Sequence, residues 1–387
     1  MDFIEKTESL CPYCKTLIDA TIKPVNNQVV MEKTCTEHGD FSILLSTDPE
    51  NWVQTKAFEK PGQPAKEFQT EVSKGCPFDC GLCPEHKQHA CLGIVEIIQR
   101  CNMNCPTCFL SSSPTHDGAI TLEEGEKAMD ALVRAEGVLE IIQISGGEPT
   151  IHPQILDFVR LAKKKKIKNV MINTNGKRFA HDPSFAQELS VINSSTYPII
   201  YLQFDGFLEE TYERIRGEKN LLQMKMKALE NLKAAGISVM LVATIQKGVN
   251  DKEMGALVQF ALETEHVSGL VLQPTFFSGR HEQQERLTIP DITGGISDQY
   301  KELEKTDFFT IPCCYPGCST ATYVYVDGEK KTVLPRMIDM SYYLDYLKNA
   351  SYPDVDKITQ EALEGLYSAG AIPNSDKLIE SFCTACS

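Results

Sequence analysis

The chain has 387 residues, of which 42% are hydrophobic and 24% charged, ordinary proportions for a globular protein of two or three domains. A net charge of −15 with a pI near 5.1 repels nucleic-acid phosphates and anionic headgroups, which excludes a nucleic-acid partner. No apolar run approaches the roughly 18–20 residues that span a bilayer, and Met1 to Glu5 lacks the basic-then-apolar start of a signal peptide, so the expectation is a cytoplasmic protein with no integral membrane segment.

Fifteen cysteines in such a chain do not read as disulfides: the count is odd and they cluster, which argues for metal. Residues 1–50 read as a metal-stapled module. Cys11-x2-Cys14 followed by Cys35-x2-His38 has the paired spacing of a zinc ribbon, with a rubredoxin-like mononuclear iron as the alternative. Residues 51–91 form a linker rich in Pro, Lys and Gly. It ends in Cys76, Cys80 and Cys83 at x3 then x2 spacing, with Cys91 as a ready fourth thiolate. Four thiolates close a [4Fe-4S] cluster and leave no open iron, so this set reads as an auxiliary cluster, with a zinc site drawing on His86 or His89 as the alternative.

From 92 to 280 the pattern alternates short strands, apolar on both faces, with amphipathic helices. Strands are predicted at Ile94–Ile98, Leu139–Ile144, Asn169–Ile172, Ile199–Phe204, Val239–Ile245 and Gly269–Gln273, and helices at Thr121–Glu136, Pro153–Lys165, Glu209–Ala235 and Asp251–Glu263. This predicts an α/β fold with a parallel sheet, and six units suggest a partial (β/α)6 barrel. Such folds bind ligands at the C-terminal ends of their strands. The basic run Lys163 to Lys166 closes a predicted helix, where cations complement the helix dipole.

Two motifs sit at those strand ends. Cys101-x3-Cys105-x2-Cys108, with Phe109 next, follows the first strand, and Gly146-Gly147-Glu148-Pro149 ends the second. Three thiolates leave one iron of a [4Fe-4S] cluster open to a small molecule. Polar residues close the later strands: Asn173 and Asn175 the third, Gln203 and Asp205 the fourth, then Thr244, Gln246 and Gln273. They are candidates for ribose contacts, against the plainer reading as turn residues.

The triad with its Gly-Gly-Glu-Pro run resembles the radical S-adenosylmethionine (SAM) superfamily. The resemblance implies a partial barrel, SAM on the open iron, and reductive cleavage of SAM to a 5′-deoxyadenosyl radical that abstracts hydrogen from an unreactive C–H bond. It also implies cofactor contacts at Phe109 and at Gly146, Gly147, Glu148 and Pro149, with Gly146, Gly147 and Glu148 around the methionine amino group and Pro149 rigidifying the turn, and an electron donor such as flavodoxin or ferredoxin.

Residues 281–387 read as a C-terminal extension: loop and short helix, a strand pair about an Asp327-Gly328 turn, then helices. Cys313, Cys314, Cys318, Cys383 and Cys386 are one more than a cluster needs, so one of Cys313 and Cys314 is left over. They read as a second auxiliary [4Fe-4S] cluster, with zinc or a redox disulfide as alternatives. The order of all these cysteine motifs is similar to that of the tetraether lipid synthase family, a group that also holds proteins assigned as pterin methyltransferases. That resemblance implies C–C coupling of lipid hydrocarbon chains and transient membrane contact. The competing expectations are methylation or oxidation of a small molecule such as a pterin, modification of a peptide, and a non-enzymatic iron–sulfur electron carrier. Phe276 and Phe277, near the last predicted strand end, read as core rather than as lining of a lipid channel.

Overall fold

The computed structural model describes residues 3–344 apart from 61, 76, 77, 80, 87–89, 91, 138, 193–199, 282–284 and 313–316. Cys76, Cys80, Cys91, Cys313, Cys314, Cys383 and Cys386 therefore lie outside the described residues, as do His89 and the helices expected near the C-terminus.

Four antiparallel strands open the chain: β1 (Glu5–Leu10), β2 (Leu17–Val25), β3 (Gln28–Cys35) and β4 (Gly39–Ser46), ordered as they occur. Asn26 and Asn27 both take positive φ between β2 and β3, the backbone a tight hairpin turn demands. Helix α1 (Pro49–Thr55) starts on Asp48, whose carboxylate accepts the amides of Glu50 and Asn51, with Pro49 at its first position. Its Trp52 packs on Ile22 and Val29 and covers one face of this small sheet.

Six parallel strands follow, ordered β10-β9-β8-β7-β6-β5: β5 (Leu92–Ile98), β6 (Ile141–Gly146), β7 (Asn169–Thr174), β8 (Ile200–Gln203), β9 (Val239–Ile245) and β10 (Val267–Pro274). Each new strand adds to the same edge, because every crossover helix returns the chain in the same sense. The crossovers are α2 (Leu122–Glu136), α3 (Ile155–Lys164), α4 (Lys177–His181) with α5 (Pro183–Ile192), α6 (Glu209–Arg216) with α7 (Leu221–Ala234), and α8 (Met254–Glu263). Val95, Ile97, Ile142, Ile144, Ile172, Leu202 and Leu241 of the strands pack with Met129, Phe158, Phe179, Leu229 and Leu257 of the helices in one continuous core. Alternate strand residues face the other way and line the concave side.

The predicted helix Glu209–Ala235 is two helices. Gly217, at φ +75°, caps α6, and Asn220 takes φ +59° before α7. Arg216 is the last residue of α6, immediately before the break. Helices α4 and α5, absent from the sequence-based expectation, fill the β7-to-β8 crossover. The basic run behaves as expected: α3 ends at Lys164, and Lys165 bonds Glu126 and Asp130 of α2.

Helix α9 (Ile289–Gln299) joins the two sheets. Thr47, just after β4, bonds Thr288 at 3.0 Å and Asp291 at 2.9 Å, and Arg286 donates to the Leu44 carbonyl at 3.1 Å. Two short antiparallel pairs follow, β11 (Phe309–Thr310) with β12 (Thr320–Ala321), and β13 (Val324–Asp327) with β14 (Lys330–Val333). Gly328 turns the last pair with φ +58°, as its Asp-Gly dipeptide predicts. Among the described residues no helix is long and apolar enough to cross a membrane.

Candidate active site and metal centre

In the small sheet, Cys11 and Cys14 lie on the β1–β2 turn, and Cys35 and His38 on the β3–β4 turn. Their donor atoms all lie within 4.8 Å of one another. Cys14 Sγ to Cys35 Sγ is 3.8 Å, Cys11 Sγ to His38 Nδ1 3.6 Å and Cys35 Sγ to His38 Nδ1 3.5 Å. With metal–sulfur bonds of about 2.3 Å and metal–nitrogen bonds of about 2.0 Å, the edges of a tetrahedron come to about 3.8 and 3.5 Å. The four residues therefore fit one tetrahedral ion. Tyr13 stacks on the His38 ring at 5.3 Å and fixes its plane.

One described residue within the second cysteine motif, Asp79, is well bonded. Asp79 Oδ2 accepts the amides of Ser73, Lys74 and Gly75 at 2.6–2.7 Å, bonds that hold its carboxyl below the usual range. These bonds tie Asp79 to residues 73–75. Cys83 of the motif is buried, whereas Cys318 of the fourth group is exposed.

The third group lies where β5 ends. Cys101 is 9% exposed and packs with Met103, Tyr212 and Leu221, apolar surroundings that push its thiol up to about 12. Burial also raises Cys105, against the nearby Arg216 charge that lowers it. Among the described residues only the ribbon set is drawn tightly enough for one ion.

The Gly-Gly-Glu-Pro run lies against this loop. Gly147 N donates to the Ile98 carbonyl at 2.7 Å and Glu148 N to that of Arg100 at 3.1 Å. A Cβ on Gly146, whose φ is +128°, would lie 2.2 Å from the Ile98 oxygen, and one on Gly147 2.3 Å from the Arg100 oxygen. The glycines thus let the end of β6 close on the strand that delivers the cysteines, a reason beyond approach to a ligand. Glu148 is 1% exposed. Its Oε1 accepts from Thr150 and Thr174, and its Oε2 from the Asn175 amide at 2.7 Å. Pro149 opens a short turn capped by the same carboxylate.

Of the predicted ribose candidates, Asn173 stands on the concave side and donates to Ser145 Oγ at 3.2 Å, and Gln203 is half-buried on β8. Asn175 instead ties the cysteine loop, donating to Asn102 Oδ1 at 2.7 Å. Asp205 is a correction to the expectation: it is fully buried, and Arg216 takes both its oxygens at 2.7 and 2.6 Å while the Thr244 amide donates to Oδ1 at 3.0 Å. Its carboxylate serves Arg216 rather than a ribose. Thr244 Oγ1 accepts a further Arg216 bond, Gln246 is buried with its amide on Asn250 Oδ1, and Gln273 bonds Tyr201. Phe109 is exposed beside the loop, and so is Phe276, which corrects its assignment to the core; Phe277 is half-buried.

Three cations at this end escaped sequence reasoning. Arg216 lies beside Cys105, and the Asp205 carboxylate outweighs its burial and holds its pKa above the ordinary value. Lys225 is completely buried, donates to the Asn175 carbonyl at 2.5 Å, and is pushed down by burial to about 8. Arg280, just past β10, donates to the carbonyls of Cys105, Ser111 and Ser112, and its own amide reaches that of Cys108 at 3.1 Å. It laces the last strand's loop to the cysteine loop. The Arg-Gly pair at 216–217 was the available signal for the first; the others carry none in local sequence.

The radical SAM superfamily domain matches residues 95–261, and the HMPTM N-terminal zinc ribbon domain matches residues 3–47. A 7,8-dihydro-6-hydroxymethylpterin dimethyltransferase from Methanocaldococcus jannaschii is 34% identical over 375 residues, 89% of this chain and 72% of that protein. The chain belongs to the radical SAM superfamily. A GTP 3′,8-cyclase from Chlorobaculum tepidum is 29% identical over 218 residues, 54% of this chain and 62% of its own length. The crystal structure of Streptococcus suis SuiB bound to S-adenosylmethionine aligns with a TM-score of 0.43 at 17% identity, covering 55% of this chain and 48% of that one. As a radical SAM enzyme the chain uses SAM and a [4Fe-4S] cluster, and the parallel sheet is its radical SAM barrel.

Proposed function

We propose that this radical SAM enzyme methylates a carbon of a reduced pterin or a heterocycle of that class. The observation that carries the reading is the concave face of the barrel. Toward the strand ends Glu96 pairs with Ser145, Ser145 bonds Asn173, and Asn173 pairs with Tyr201, which Gln273 bonds; Gln203 lies further along β8, and Met240 and Val242 of β9 interrupt this polar row. Such a wall solvates a polar ring and offers it donors and acceptors, whereas a hydrocarbon tail would strand those groups without partners. Likeness across most of the chain to a pterin dimethyltransferase supports the same class.

In this reading Cys101, Cys105 and Cys108 hold the catalytic cluster. When bound and reduced, the cluster supplies the electron that splits SAM into methionine and a 5′-deoxyadenosyl radical. The chain's own residues do the rest: the glycines bring β6 against the cysteine loop, Asn175 and Arg280 tie that loop to two strands, and Arg216 and Lys225 balance the buried Glu148 and Asp205. Zinc in the ribbon, auxiliary clusters on Cys76, Cys80, Cys83 and Cys91 and on the C-terminal cysteines, and a flavodoxin- or ferredoxin-type donor complete the proposal. Coupling of lipid hydrocarbon chains is the second reading, favoured by the order of the cysteine motifs.

The test is the reconstituted protein under anaerobic conditions with reductant, SAM, 6-hydroxymethyl-7,8-dihydropterin and a one-carbon donor, either SAM or a reduced folate-type carrier. The expected result is pterin-dependent 5′-deoxyadenosine and a product heavier by one or two CH2 units. SAM cleavage indifferent to pterin, with a lipid extract giving a product two hydrogens lighter than its precursors, would reverse the order of the two readings.

A further inference from the structure

Resting on the pterin reading, we infer that Glu96 is the substrate-recognition residue that accepts the two-donor edge of the ring. Glu96 is the one carboxylate in the wall described above, and nothing in the chain's own fold accounts for it. Val95 and Ile97 on either side face the helices and are buried in the core, so Glu96 faces the concave side. Its register partner is Ser145, which bonds Asn173 on the next strand. Its carboxylate is exposed and has no hydrogen-bond or ion-pair partner among the described residues. Glutamate is disfavoured within strands, and strand pairing gives this one no compensation.

The chemistry selects the ligand edge. A 2-amino-4-oxopyrimidine ring carries an amino group and a ring N–H side by side in one plane. The two oxygens of an ionised carboxylate accept both at once, as they accept the paired N–H groups of arginine. Ser145 and Asn173, alongside, offer hydroxyl and amide groups to the neighbouring ring carbonyl. Cys101 is five positions beyond Glu96, at most about 17 Å of extended chain. A bicyclic ring held at Glu96 by its pyrimidine end points its other end, which bears the carbons to be methylated, toward the cysteine loop.

The experiment measures dissociation constants in reconstituted holoenzyme for 6-hydroxymethyl-7,8-dihydropterin and for its lumazine counterpart, in which oxygen replaces the 2-amino group. The wild type is expected to prefer the pterin, because the lumazine turns an acceptor toward the carboxylate. Glu96→Gln weakens pterin binding about 10- to 100-fold, the loss expected for bonds to a charged group, and levels the preference. Glu96→Asp keeps the preference. An equal loss for both ligands in Glu96→Gln, or no loss for either, overturns the inference, since an edge-strand charge that only deters aggregation would not sense the 2-amino group. A wild type that methylates pterin while Glu96→Gln binds it normally overturns this inference alone. A wild type that binds no pterin overturns it together with the proposed function.

Discussion

Cys101→Ala reduces 5′-deoxyadenosine formation to background while leaving the zinc ribbon loaded. The expectation follows from where Cys101 sits. It is packed among Met103, Tyr212 and Leu221, where burial disfavours a free thiolate, so the side chain is suited to a bound metal rather than to solvent. Two remaining thiolates would hold the cluster weakly and give SAM no fixed iron. Cys83→Ala is the control, because the sequence offers a second triad with the same spacing. That variant loses auxiliary iron yet cleaves SAM on reduction. Chromatography of 5′-deoxyadenosine with parallel iron and zinc analysis measures all three quantities. A Cys101→Ala protein that still cleaves SAM, beside an inactive Cys83→Ala, would exchange the roles of the two triads.

Arg216→Met destabilises the barrel by about 3–5 kcal/mol, the range for breaking a buried ion pair from one side. Asp205 is fully buried and Arg216 nearly so, and they meet in a two-pronged contact that Thr244 completes. Removing the guanidinium leaves a carboxylate in the interior, with Lys225 as the nearest candidate to answer its charge. Replacing both members, Asp205→Leu with Arg216→Met, is expected to recover most of the loss, since an apolar pair carries no desolvation penalty. Urea unfolding of the single and double variants supplies the cycle. Equal instability in all three would mean that packing, not charge, holds this corner.

These two expectations differ in how far the sequence foretold them. The triad, the glycines and the ribbon ligands are local patterns, because a few consecutive residues must face one ion or turn. The six barrel strands were legible for a similar reason: runs such as Ile141 to Ile144 are buried and apolar on both faces. The break at Gly217 was written in the chain but masked by apolar residues that continue at helical spacing beyond it. Helix α5 likewise had a start signal, Asp182 accepting the Phe185 amide ahead of Pro183, that periodicity alone passed over. What local sequence does not carry is pairing through space. Arg216 finds Asp205 across 11 residues, Lys225 finds Asn175 across 50, and Arg280 finds Cys105 across 175. Asp205 was read as a ligand contact for this reason: its partner, Arg216, comes from the following helix and not from its own strand end.

The most direct test of the central claim, that the Cys101, Cys105 and Cys108 loop carries the SAM-binding cluster at the mouth of the barrel, is electron–nuclear double resonance on the reduced protein. SAM labelled at its amino nitrogen and carboxylate oxygen is the probe. Hyperfine coupling to both labels is predicted in the wild type and in Cys83→Ala, and none in Cys105→Ala. Coupling that survives in Cys105→Ala and vanishes in Cys83→Ala would contradict the account.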